Sequence, residues 1–207
     1  MTPNAPQPPV RLLALGDSYT IGEAVEPDER WPLRLAAMLR ARGVDVAPPT
    51  IVARTGWTTD ELSSGIDGAG LGGAYDLVTL LIGVNDQYRG RTADEFRQRF
   101  GPLLGRALGF TSHRASRVIV VSIPDWGVTP FGRDRNRTRI SAEIDLFNET
   151  VRDQAMQVGA AFIDVTPISR RAASEPELLA PDGLHPSGAM YAEWARVILP
   201  IAANALA

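Results

Sequence analysis

The stretch Asp76-Leu-Val-Thr-Leu-Leu-Ile82, followed at once by Gly83-Val-Asn-Asp86, decides how this chain is read. An almost unbroken apolar run of this length, closed by turn residues, is a strand buried on both faces. Working outward, Arg117 to Ile123 (RVIVVSI), Thr50 to Arg54, Val10 to Leu15 and Ala161 to Val165 repeat the pattern. Helical segments fall between them. Asp28 to Arg42 carries Trp31, Leu35, Met38 and Leu39 at helical spacing, with Gly43 as a stop. Thr58-Thr-Asp-Glu61 and Thr92-Ala-Asp-Glu95 are capping boxes, the second opening a helix toward Leu108. Ser141 to Val158 is long and amphipathic, and a last helix covers Ser187 to Ala203. Five short strands alternating with helices predict an α/β fold with a mainly parallel sheet. No repeat or linker divides the chain, so residues 10–207 read as a single domain behind a polar, proline-rich, disordered tail at 1–9. Open parallel sheets bind ligands beyond the carboxyl ends of their strands. The residues to watch are therefore Asp17-Ser18, Arg54 to Trp57, Gly83 to Asp86, and Pro124 to Trp126.

Composition narrows the chemistry. Of 207 residues, 44% are hydrophobic and 22% charged, a globular balance. With no cysteine there is no disulfide, thiol nucleophile or cysteine-ligated zinc. All 21 basic residues are arginine, so neither Schiff-base nor P-loop chemistry has its lysine. Two histidines, His113 and His185, cannot build a three-histidine metal site. A net charge of −3 gives no basic field for nucleic acid. No segment is long enough to span a membrane and the start has no signal-peptide pattern, so the chain as given reads as cytoplasmic.

Ser18 leaves the first strand within Gly16-Asp-Ser-Tyr-Thr20. A serine hydroxyl is a poor nucleophile until a base takes its proton. His113 sits in a polar turn before the fourth strand, at the wrong end of the sheet. His185 follows the last strand within Pro181-Asp-Gly-Leu-His-Pro186, and Asp182 is close enough for a turn to bring it against the ring. Acyl transfer also needs donors for a developing oxyanion. The Asn85 amide, the Gly56 N–H and the N–H of Ser18 are the candidates.

These blocks resemble the SGNH, or GDSL, hydrolase superfamily. Gly16-Asp-Ser-Tyr19 resembles its first block, with tyrosine where the family's name has leucine. Arg54-Thr-Gly56 is similar to the glycine block, Gly83-Val-Asn-Asp86 to the G-x-N-D block, and Asp182-Gly-Leu-His185 to the closing D-x-x-H block. All four stand in the family's order between residues 16 and 185. The resemblance implies a three-layer α/β/α hydrolase with a flavodoxin-like five-stranded sheet. It implies Ser18 as nucleophile, His185 as base, Asp182 as the acid that orients it, and Ser18, Gly56 and Asn85 as oxyanion donors. It implies no metal and no organic cofactor. The stretches Asn85 to Gly90 and Ile123 to Phe131 also resemble bacterial esterase-like members, without naming a substrate. No G-x-S-x-G occurs, so the α/β-hydrolase elbow is not the template.

Other features read more plainly. Gly68-Ala-Gly-Leu-Gly-Gly73 is a literal G-x-G-x-x-G, but it precedes a strand, where a dinucleotide site needs it to follow one. Asp17 at a strand end is also the setting of a phosphorylatable receiver, which would need a lysine. Arg133, Arg135, Arg137 and Arg139 read as a solvated loop and helix start, ahead of a rim for an anionic substrate. Arg89 and Arg91 lie nearer the site. Arg89, Trp57 and Trp126 are candidate substrate contacts, with core packing the alternative for the tryptophans. The resulting expectation is a serine esterase acting on a small-molecule, short-chain ester, since no long apolar lid segment is evident. An acyl-CoA thioesterase or lysophospholipase, or a carbohydrate acetyl esterase, is the neighbouring alternative, and a non-catalytic binding module is the contrasting class. Oligomeric state is not legible.

Overall fold

The computed structural model describes residues 8–207. Most of the tail read at 1–9 therefore lies outside the described residues; Pro8 and Pro9 are exposed and without regular structure. Five strands form one sheet: β1 (Leu12–Gly16), β2 (Thr50–Ala53), β3 (Leu77–Leu81), β4 (Val118–Val121) and β5 (Ala161–Ile163). Their order is β2-β1-β3-β4-β5 and every pairing is parallel. This is the flavodoxin-like order. β1, β3 and β4 are wholly buried, as their unbroken apolar sequences require.

The helices are α1 (Ser18–Ile21), α2 (Trp31–Ala41), α3 (Thr59–Gly68), α4 (Val84–Tyr88), α5 (Ala93–Phe110), α6 (Arg137–Val158), α7 (Thr166–Arg170) and α8 (Gly188–Leu206). The crossovers place α2 and α8 together on one face and α3, α5 and α6 on the other. The result is the three-layer α/β/α sandwich expected from the sequence. Both capping boxes form: Glu61 Oε2 accepts from Thr58 N at 2.8 Å, and Glu95 Oε2 from Thr92 N at 2.8 Å. Two helix starts move by three residues or more. α2 begins at Trp31, because Pro27–Glu29 forms a separate 3-10 turn. α6 begins at Arg137 instead of Ser141, because Asn136 caps it, accepting from Arg139 N at 3.0 Å.

The register fixes the site. Gly16 lies opposite both Ala53 and Leu81, so the carboxyl ends of β2, β1 and β3 stand side by side. The chain leaves β1 toward β2 but reaches β3 on the other side, which makes this the switch point where such sheets bind ligands.

Candidate active site

Each strand end turns sharply. After β1, Asp17 caps α1: its Oδ1 accepts from Tyr19 N at 3.0 Å, and Ser18 becomes the first residue of the helix. After β3, Gly83 adopts φ +128°, and a Cβ there would lie 2.7 Å from Ile123 and 2.8 Å from Phe96. That turn starts α4 one residue before Asn85. After β2, Gly56 adopts φ +83°, the left-handed region that glycine enters without strain. His185 is held by a folded-back loop. Ala180 N donates to His185 O at 2.8 Å, and Leu179 bridges Pro186 in antiparallel fashion.

Ser18, Gly56, Asn85 and His185 line one cavity of about 180 Å³, walled also by Tyr88 and Trp126. Asp182 stands behind the histidine. Its Oδ2 lies 2.6 Å from His185 Nδ1, and its Oδ1 accepts from the backbone N–H of Leu184 and of His185, each at 3.0 Å. Partial burial works to raise the Asp182 carboxyl, but the His185 ring and the two N–H donors outweigh it and hold it below the usual aspartate value. Tyr19 packs edge-on against the imidazole at 5.6 Å between centroids. A proton on Nδ1 shared with Asp182 leaves Nε2 as the free lone pair. Ser18 lines the cavity and its hydroxyl makes no hydrogen bond to His185 in this structure; such contacts are often long before substrate binds.

The donor set converges from three strand ends. Among the described residues, neither the Ser18 N–H nor the Gly56 N–H has an acceptor. Asn85 Nδ2 donates one hydrogen to the Trp57 carbonyl at 2.9 Å, which orients the amide and leaves its second hydrogen for a ligand. Asp86 ties α4 to α3, accepting from Thr59 N at 2.9 Å and pairing with Arg91 at 2.6 Å. The arrangement can present a hydroxyl, a base and three N–H donors to one carbonyl. Among the described residues, no group of three His, Asp or Glu side chains is placed to hold a metal ion, and no helix is long and apolar enough to cross a membrane.

The predicted substrate contacts divide. Trp126 lines the cavity, buried to 4% exposure, its Nε1 donating to Gln87 Oε1 at 2.8 Å. Trp57 does not: its ring lies over Gly65 of α3, where any Cβ would collide with it, and only its carbonyl reaches Asn85. Arg89 also stands outside the cavity. Its Nη2 donates to the Gly56 carbonyl at 2.7 Å and its Nη1 pairs with Glu61 at 3.2 Å, so it braces the glycine turn from behind. His113 sits at φ +60° in the turn before β4, remote from the site. Tyr88, Phe131 and Leu184 are cavity walls that the sequence does not single out. The first two lie in the stretches that resemble bacterial esterases, which was the available signal.

A family model described as GDSL-like lipase/acylhydrolase matches residues 14–193. No curated protein matches. Among solved structures, TesA is 19% identical with a TM-score of 0.74, the alignment covering 95% of this chain and 99% of that one. A catalytic mutant of an acetylxylan esterase from Geobacillus stearothermophilus is 19% identical at TM-score 0.72, covering 93% and 94%. A lipase/acylhydrolase from Enterococcus faecalis is 20% identical at TM-score 0.67, covering 92% and 94%. At these identities the structures speak for the fold, while the family match spans most of the chain and carries its four sequence blocks. The chain belongs to the GDSL-like lipase/acylhydrolase family and is a carboxylic ester hydrolase.

Proposed function

We propose that the protein hydrolyses short-chain carboxylic esters through an acyl-enzyme on Ser18. The observation that carries this reading is the 2.6 Å Asp182–His185 pair, set beside Ser18 in a cavity bounded by Gly56 and Asn85. His185 Nε2 takes the Ser18 proton as Oγ attacks the carbonyl carbon. The oxyanion forms among the Ser18 N–H, the Gly56 N–H and Asn85 Nδ2, donors placed before charge develops. His185 returns the proton to the departing alcohol, and water then repeats the sequence to free the acid and Ser18. Asp182 keeps the proton on Nδ1 and stabilises the imidazolium.

The cavity supports the chain length. Its volume of about 180 Å³ is little more than the roughly 150 Å³ that holds one benzene. Val84, Trp126, Phe131 and Leu184 make it largely apolar. It suits an acetyl to butyryl group. Hydrolysis of p-nitrophenyl acetate, butyrate and octanoate by the wild type and by Ser18→Ala tests the reading. The expected result is a preference for the two shorter esters and a loss of about 10³-fold or more in kcat for Ser18→Ala. Unchanged turnover in the variant overturns the serine mechanism, and a preference for octanoate overturns the chain length.

A further inference from the structure

The four alternating arginines after β4 look alike in sequence and do four different things. Arg137 donates to the carbonyls of Gly127 and Val128 at 2.9 and 2.8 Å, pinning the loop to the start of α6. Arg139 pairs with Glu143 at 2.6 Å. Arg133 is exposed. Arg135 lies over the Tyr88 ring, 5.8 Å from its centroid, and among the described residues no carboxylate pairs with it.

Tyr88 is the residue that matters here. It walls the cavity holding Ser18, and it also walls a second cavity of about 220 Å³ on its far side. Trp126 is shared in the same way. The second cavity is lined by Arg135, Asn136, Arg139 and Glu143. Glu143 is satisfied within the wall, by Arg139 and by Gln87 Nε2 at 2.7 Å. Its charge is cancelled there, and the guanidinium of Arg135 is left over. The first cavity, by contrast, has no acidic or arginine side chain in its lining. The two together form an apolar chamber with a cationic annex, divided by two aromatic rings.

We infer that the Arg135 cavity is a subsite for a carboxylate or phosphate carried by the ester substrate, held one short apolar segment away from the scissile carbonyl. The inference rests on the serine-esterase reading above and adds the substrate's charge to it. A guanidinium resting on an aromatic face keeps its fork of N–H donors turned outward, the arrangement that takes a planar oxyacid in two hydrogen bonds.

The test compares charged esters with neutral twins in two arms. On the acyl side, p-nitrophenyl hydrogen glutarate is set against its methyl ester. On the alcohol side, p-carboxyphenyl butanoate is set against its methyl ester. The readout is the charged-to-neutral ratio of kcat/KM in each variant relative to the wild type, a comparison in which differences in leaving group cancel. Arg135→Gln is expected to lower that ratio about three- to tenfold in one arm, through KM, and Arg135→Glu to lower it further. The arm that responds identifies which half of the substrate bears the anion. The effect should shrink as salt rises past about 0.1 M, where the screening length is near 10 Å. Arg133→Gln, which lines neither cavity, should leave the ratio at its wild-type value. Unchanged ratios in both arms overturn the subsite. So does an equal fall in Arg133→Gln, which would mean a diffuse loop field. Ser18→Ala separates the two claims: if it still turns over these esters the catalytic reading fails, whatever Arg135 does.

Discussion

Two aspartates flank the candidate chemistry, and their surroundings drive them in opposite directions. Asp182, in the loop before α8, keeps 35% of its side chain exposed and has a partner for each oxygen. It is held ionised below the usual aspartate range. Asp17, in the turn after β1, is fully buried. Its Oδ1 takes the Tyr19 N–H, while its Oδ2 has no partner among the described residues. Burial pushes Asp17 up to about 8; the Tyr19 N–H pulls the other way and the charge of Asp86 adds to the rise. One carboxyl is built to stay charged beside a histidine, the other to stay neutral beneath a serine. Sequence position next to a reactive residue does not assign a role; hydrogen bonds and solvent do.

The largest expected effect breaks the pair on the loop side. In Asp182→Asn the amide no longer favours the Nδ1–H tautomer, and the imidazolium loses its counter-charge. We expect kcat on p-nitrophenyl butyrate to fall by about 10²- to 10⁴-fold with a modest change in KM. A fall below tenfold would mean that Asp182 only shapes the loop. Next comes the donor set that the Asp17 turn helps to align. Asn85→Ala removes one of the proposed oxyanion donors and is expected to cost about 10²- to 10³-fold in kcat. An effect confined to KM would place Asn85 in ground-state binding instead.

Much of this is legible in the sequence alone. Asp76 to Ile82 announced a buried parallel strand because a strand covered on both faces needs no polar alternation. Ser18, Asn85 and His185 were legible because each stands where a strand or its loop ends. The cavity walls were not. Trp57 follows Gly56 in sequence, yet the left-handed turn at Gly56 sends its ring under α3 and leaves only its carbonyl in play. Arg135 was one of four equivalent arginines until Arg137 and Arg139 found partners and it found the face of Tyr88. Strand ends are set by periodicity and turns, which are local. Side-chain direction beyond a positive-φ glycine, and the division of charges within an arginine run, depend on neighbours far away in sequence.

The smallest effect sharpens the comparison on the turn side. A carboxyl raised in the folded state binds its proton more tightly there than in the unfolded chain. Its contribution to stability is therefore complete below about pH 4, the unfolded value, and is lost as pH climbs toward about 8. Asp182 has the opposite sign: its contribution is present above the unfolded value and fades as pH falls. Asp17→Asn keeps an oxygen for the Tyr19 N–H and cannot ionise. Its melting temperature should fall less than that of the wild type between pH 5 and about 8.5, so that the variant gains on the order of 10 °C on the wild type across that range. Activity should change only a few-fold, since the Asp17 carboxyl has no place in the proton path. Parallel melting curves for the two proteins across that range would show that Asp17 titrates like an ordinary surface carboxylate. The contrast with Asp182 would then lie in hydrogen bonding alone.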